Sequence, residues 1–353
     1  SHGRKGTHVD LLNGLVKKGC GQARIDGQYY DLSTIPQLAR YKAHDIDAVL
    51  FKGALAQKEL EKIHYRPEYL AVDEFAIHKG HTYATCVMDL DTGEVIWAGM
   101  GRTIEAFGKC FEEIRPETLS AVKAVAMDMN ASYAQVVKAH LPKAAIVYDR
   151  YHMQAQFGKD VLGAVRLMEA REHQQIANAL LLESKQEKDP VRKRELEQQS
   201  KTERSAYTAV KRARWSLLTN SQNLTEGAEN ALDQILQDHA MLATCYAMKE
   251  EMTALFEIRD PKLAKKKWNA WFKAAKNSGI PQLIKFAKLK EKRIQGLISH
   301  ARFPISTGKL EGFNNKIKVA KRIGYGYRNN DYFFTLIKYL SIPDLRQSFH
   351  SFC

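Results

Sequence analysis

Between residues 69 and 152 the hydrophobic period changes several times, and the order of those changes restricts the fold more than any other feature of the chain. "YLAVDEF" is a short apolar run around one acid. "HTYATCVMDLDTGEVIWAG" reads as two strands, 82–88 and 95–99, joined by a turn at 91–93. A helix is expected over 103–114, where Ile104, Phe107, Phe111 and Ile114 share one face. Strand "VKAVAMD", helix "ASYAQVVKAHL" and strand "AAIVYDRYH" complete the series. The order βββαβαβ joins an antiparallel hairpin to parallel crossovers, which predicts a three-layer α/β domain with a mixed sheet.

The flanks have a different grammar. Residues 1–66 read as a small helical segment. Ser33 stands as a cap, Ile35, Leu38 and Ala39 follow, and a second helical period starts at Ile46, Val49 and Leu50, a spacing that suits a helix-turn-helix. From 153 to 300 the strand signals vanish. The 166–218 stretch alternates charge signs as long solvent-laced helices do, and Pro190 should break or kink it. Between Lys262 and Arg293 eleven basic residues face a single acid, with Trp268, Trp271, Phe272 and Phe286 at core spacing. That segment reads either as a solvated helix pair or as a phosphate-contacting surface. Residues 301–353 close the chain.

Charge and cysteines narrow the function classes. Lysine and arginine outnumber acids 54 to 40, a net +14 that favours a polyanionic partner, nucleic acid or an anionic membrane surface. Cys20, Cys86, Cys110, Cys245 and Cys353 are scattered with no CxxC pair, so neither a disulfide framework nor a zinc ribbon is indicated. No run of 18 apolar residues appears, and "SHGRKGTHVDLL" lacks the build of a signal peptide. The expected location is the cytoplasm.

Three carboxylates stand where an α/β sheet places chemistry: Asp73 within the first strand, Asp128 ending "VKAVAMD" and Asp149 ending "AAIVYD". Burying an ionised carboxylate among valines and leucines is costly unless a cation or donors pair with it. Any one of them would serve as a helix cap, Asp128 before "MNASYAQV" or Asp149 before "RYH". Three in one sheet point instead to a divalent metal, and oxygen-only ligands favour Mg²⁺ or Mn²⁺. Glu74 alternates to the opposite face of its strand from Asp73.

The blocks "LAVDEFAIHKGHTYATCVMDLDTGEVI", "AVAMDMNASY", "AIVYDRYH" and "GKLEGFNNKIKVAKRIGYGYRN" resemble, in order and spacing, those of the bacterial insertion-sequence transposases called the ISL-three family. The resemblance covers residues 69–152 and 306–340. It implies an RNase H-like mixed sheet flanked by helices, with a large all-helical insertion at 153–300 and a small helical DNA-binding segment at 1–66. The catalytic domain would then be split into 67–152 and 301–353. It also implies a DDE triad matching Asp73, Asp128 and Glu311, with Asp149 competing for the second place. Two Mg²⁺ or Mn²⁺ ions would serve metal-dependent cleavage and strand transfer on double-stranded DNA, transposon ends and target alike, by a homo-oligomer in a bacterial nucleoid. In a helix over this segment Leu310, Phe313 and Ile317 face the core, and Glu311, Asn315 and Lys318 lie on an adjoining face. Residues expected to meet DNA are Lys79, His81, Arg150, His152, Asn315, Lys318, Lys321, Arg322, Tyr325, Tyr327 and Arg328. Family members begin with a cysteine-rich zinc-binding module, which these residues do not contain. A structure-specific nuclease and a catalytically inactive DNA-binding relative are the rival readings.

Overall fold

The computed structural model describes residues 3–17, 22–49, 66–78, 82–324, 327 and 329–342. Contacts divide the chain into two compact units, Ser1–Ala144 with Thr307–Cys353, and Ala145–Ser306. Among the described residues no helix is long and apolar enough to cross a membrane.

The described start of the first unit is built largely on strands, which corrects the expected helix at 33–40 and the helical opening at Ile46–Val49. After Arg4–Lys5 (β1) and the helix Val9–Lys17, strands Gln22–Ile25 (β2) and Gln28–Asp31 (β3) form a hairpin. Asp26 and Gly27 both hold positive φ, 50° and 89°, and Asp-Gly is the pair that a tight hairpin turn prefers. Ala43–His44 (β4) pairs with β1, and Ile46–Val49 (β5) pairs with β2. Residues 33–40 form no helix. Pro36 disfavours helical geometry at Ile35, and the Ser33 amide donates to Asp31 Oδ1 at 2.8 Å in a local turn. Ile35 and Leu38 still find a core, packing on Leu12, Leu15, Ala23, Ile25, Leu32 and Ile46. Asp26 ties this part together by accepting from the Asp45 amide and pairing with buried His44, each at 2.8 Å. The Asp45 amide and then His44 hold the Asp26 carboxyl down at about 2. Leu50 and most of the stretch to position 66 lie outside the described residues.

The sheet that follows has the expected strands. Tyr69–His78 (β6), Thr82–Asp89 (β7) and Val95–Met100 (β8) are antiparallel neighbours, and Ala124–Met127 (β9) pairs parallel with β6. Gly93, at φ 80°, makes the β7–β8 turn, where its amide donates to the Asp89 carbonyl at 2.8 Å. Helices Ile104–Glu113 and Ala131–His140 cover one face, their Phe107, Cys110 and Val137 meeting Leu70, Val72, Val87 and Val125. Helices Gly308–Ile323 and Asn330–Ser341 belong to the other face: Asn314 reaches Asp73, and Phe333 meets Phe75 edge-on at 6.3 Å. Asp73 and Phe75 share that face by strand alternation, whereas Leu70, Val72 and Glu74 point the opposite way. Three layers result, as the period changes predict.

The second unit is almost entirely helical. Its strand Ala145–Tyr148 (β10) is shorter than the predicted run, because Asp149 stops it and caps the helix Arg150–Phe157. A wide turn, Gly158–Gly163, leads to the helices Ala164–Gln186 and Pro190–Arg212. Pro190 does interrupt the charged stretch: it opens the second of these helices behind the Asp189 cap, where a missing N–H costs nothing. Glu226–Asp238, Ala240–Leu255, Pro261–Lys276, Pro281–Glu291 and Ile294–Arg302 complete the unit around Trp268, Trp271, Phe272 and Phe286, all at most 3% exposed. Gly296 lets the last of these helices approach β10. A Cβ there would stand 2.4 Å from the Tyr148 ring.

Candidate active site

Within the first unit, strand register sets two acids beside each other. β6 and β9 run parallel with Val72 opposite Met127, so one further step brings Asp73 level with Asp128, on strands about 4.8 Å apart. Both carboxylates emerge half-buried from strands whose preceding residues, Val72 and Met127, are at most 1% exposed. Asp128 is not consumed as a helix cap. The following helix is capped by Asn130, whose Oδ1 accepts from the Ser132 amide at 2.9 Å, while Asp128 Oδ1 accepts from the amide of Met129.

The third acid arrives on the helix Gly308–Ile323. Leu310, Ile317 and Ala320 are buried in it, and Asn314 stands on the same stripe, 5% exposed. Asn314 Nδ2 donates to Asp73 Oδ2 at 2.9 Å, fixing the helix to β6 at the carboxylate itself. Glu311 lies one turn earlier, so it shares the face that meets Asp73. Its amide donates to the Thr307 carbonyl at 2.8 Å, and the buried Thr307 hydroxyl donates to its Oε1 at 3.1 Å. A carboxylate in the first helical turn also gains from the dipole. Asn314 was missed by sequence reasoning, which placed Asn315 on the functional face. The available signal was an amide at i+4 from Leu310 and i−3 from Ile317, on the apolar stripe.

The donors here suit a hard divalent cation. Asp73 and Asp128 lie level on neighbouring strands, Glu311 sits one turn before the Asn314 that bonds Asp73, and Asn314 Oδ1 is a buried acceptor with no hydrogen-bond donor among the described residues. The nearby Cys86, opposite Asp73 in the β6–β7 register, is no ligand. Burial first, and the Asp73 charge second, push its thiol far up, so it stays protonated at neutral pH. Glu74 stays outside the group on the other face, where Arg102 Nη1 pairs with it at 2.9 Å.

Cations on the third-acid helix divide into two sets. Lys309, Lys316 and Lys321 donate to the carbonyls of Leu90, Leu340 and Ala76 and so fasten the helix to its own unit. Burial lowers the Lys321 pKa. Lys318, Arg322 and Asn315 are exposed, with Lys318 Nζ 3.2 Å from Asn315 Oδ1. Tyr327 is not an open stacking platform on both sides, since its ring stacks on Phe333 at 4.6 Å. Lys79, His81, Tyr325 and Arg328 lie outside the described residues.

Asp149, Arg150 and His152 belong to the second unit. Asp149 is 2% exposed, and its Oδ1 accepts from the Tyr151 and His152 amides at 2.7 and 3.2 Å as a helix cap. Arg150 pairs with Glu257.

A family model described as "Transposase", that of the ISL-three DDE group, matches residues 70–337. The chain belongs to the ISL-three family of DDE transposases. Among curated relatives, the transposase for insertion sequence element IS1001 of Bordetella parapertussis is 33% identical over 323 residues, covering 92% of this chain and 72% of that protein. The transposase for IS1557 of Mycobacterium tuberculosis is 27% identical over 265 residues, which is 74% of this chain and 57% of the relative. The transposase family model begins at β6, while the similarity to the IS1001 transposase, at 92% of this chain, reaches into the segment before it. Residues 1–65 match a different family, the UvrA interaction domain, and UvrABC system protein A of Lactococcus lactis is 30% identical over 95 residues, 27% of this chain and 9% of that protein.

Proposed function

We propose that this transposase cleaves DNA strands at transposon ends and joins them to target DNA, using Asp73, Asp128 and Glu311 as its catalytic acids. What supports the reading is the placement of the elements that carry these three carboxylates. The β6–β9 register aligns the first two, and Asn314 fastens the Glu311 helix to Asp73. Asp149 is the weaker competitor for the second place, because both amide bonds at its helix end depend on it.

Asp73, Asp128 and Glu311 would hold Mg²⁺ or Mn²⁺, with Asn314 Oδ1 as an additional oxygen donor. When bound, two such ions activate a water or 3′-hydroxyl oxygen and offset charge on the leaving oxygen of an in-line phosphoryl displacement. The protein's own part is rigidity. Asp73 and Asp128 are carried on adjacent strands, and Glu311 is oriented by Thr307 and by its place in the first turn of a helix. Exposed Lys318 and Arg322 follow Glu311 by two and three turns and supply phosphate contacts along the approaching strand.

Joining two ends at once calls for a homo-oligomer acting on nucleoid DNA in the cytoplasm. Residues 1–65 serve as an interaction module with no part in the chemistry, in keeping with the name of the family they match. The test of the acids is substitution: Asp73→Asn, Asp128→Asn and Glu311→Gln each abolish cleavage of end-containing DNA while Asp149→Asn does not. Full loss in Asp149→Asn with activity kept in Asp128→Asn would reassign the second acid.

A further inference from the structure

We infer that the lysine-rich helical hairpin of the second unit is a docking surface for duplex DNA, gripping the phosphate backbone without reading sequence. This rests on the reading of the chain as a DNA-acting enzyme but concerns a unit that holds none of the three proposed acids. The hairpin consists of helices Pro261–Lys276 and Pro281–Glu291, clamped by Lys276 Nζ on both oxygens of Glu291 at 2.8 and 2.9 Å.

Folding accounts for only three of the eleven cations between Lys262 and Arg293. Lys276 makes that clamp, Lys290 is buried and donates to Gln156, and Arg293 stands over the Tyr148 ring at 6.0 Å. Of the remainder, Lys262, Lys265, Lys266, Lys267 and Lys273 are exposed on the first helix, with Lys285 and Lys288 exposed on the second. Among the described residues none of these seven forms an ion pair. At 100° per residue, Lys262, Lys266 and Lys273 fall within about 40° of one another, opposite the buried stripe of Ala264, Trp268, Trp271 and Ala275.

The first helix contains six lysines and no acid, so like charges such as Lys262 and Lys266 sit one turn apart with no carboxylate to offset them. The unit's other long basic helix, Pro190–Arg212, interleaves Glu195, Glu197 and Glu203. A repulsive stripe of this kind gains its stabilisation from a polyanion. Lys262 to Lys273 spans about 16 Å at 1.5 Å per residue, and a duplex presents about ten phosphate charges over that length. An anionic membrane surface fits less well, because Trp268, Trp271 and Phe272, the anchors such binding uses, are at most 1% exposed.

The experiment measures binding of the full chain to a 30-base-pair duplex of arbitrary sequence, roughly the size of one specific site, as salt is raised. Each phosphate contact contributes about 0.9 to the slope of log affinity against log salt. The triple change Lys262→Ala, Lys266→Ala and Lys273→Ala is therefore expected to flatten the slope by about 2.7. The control triple Lys193→Ala, Arg194→Ala and Lys201→Ala, equal in charge lost and also exposed, is expected to leave it as in wild type. Unchanged thermal unfolding shows that both triples are folded. An unchanged slope in the first triple, or an equal loss in both, overturns the proposal. So does a first triple that loses only its binding to anionic phospholipid vesicles. Wild type that joins transposon ends while the first triple keeps its full slope overturns the docking surface alone. The expected flattening in a chain that joins no ends leaves this surface standing and removes the proposed strand-joining activity.

Discussion

Replacing Asn314 by alanine isolates the contact on which the site's geometry turns. Its Nδ2 donates to Asp73 Oδ2 at 2.9 Å from a side chain 5% exposed, so the bond is to a charged group and shielded from water. Such bonds contribute about 1.5–3 kcal/mol. If that energy is used to hold Asp73 in the orientation a cation needs, its loss weakens divalent-ion binding by roughly 10- to 150-fold, since about 1.4 kcal/mol is a factor of ten. The range agrees with the 10- to 100-fold typical of a group that orients a metal ligand. Binding of Mn²⁺ to the full chain, followed by electron paramagnetic resonance, reads this directly. Asn314→Ala should need correspondingly more Mn²⁺ and recover cleavage at high ion concentration, while Asn314→Asp tests whether an oxygen donor alone suffices there. Wild-type Mn²⁺ affinity in a folded Asn314→Ala protein would refute the argument that this amide organises the acids.

Asp73→Asn, Asp128→Asn and Glu311→Gln are expected to lose cleavage and keep most DNA affinity, read by gel shift, because the exposed cations remain. Asp149→Ala should cost about 0.5–2 kcal/mol in chemical denaturation while Asp149→Asn costs little, since an asparagine oxygen still caps the helix. Trp271, fully buried with its Nε1 donating to the Met248 carbonyl at 2.9 Å, should cost about 3–5 kcal/mol when changed to alanine, by the same assay. Burial foremost, and then Arg259 and Arg150, depress the pKa of His300. The unfolded chain, with histidine near 6.5, therefore binds more protons just below that pH, and stability falls as pH drops from about 7 toward 5. A flatter pH profile of the melting temperature in His300→Gln than in wild type is the expected outcome.

The sheet was legible because its strands carry uninterrupted apolar runs with turn residues between them, and β6 to β9 fall where the period changes put them. The alternation at Asp73 and Glu74 likewise separated the acid that meets Asn314 from its neighbour, which pairs with Arg102. What local pattern could not give was the competition for caps. Asp128 and Asp149 look alike in sequence, yet Asn130 relieves the first of capping while nothing relieves the second. Asn314 was passed over for a similar reason, since its partner lies 241 residues away on β6. The N-terminal error came from taking Ile46 and Val49 as a helical period over too few residues, while the Asp26–Gly27 turn signal went unused. Ile46 in fact sits opposite Ile25 in a strand pair.

The most direct test of the central claim is cleavage and joining of labelled duplex bearing the ends of the element that encodes this chain, with Mg²⁺, with Mn²⁺ and with EDTA, for wild type and Glu311→Gln. Joined product that needs the divalent ion and disappears in Glu311→Gln, with end binding retained, is the predicted result. Joining that persists in EDTA, or in a Glu311→Gln protein as active as wild type, would contradict it.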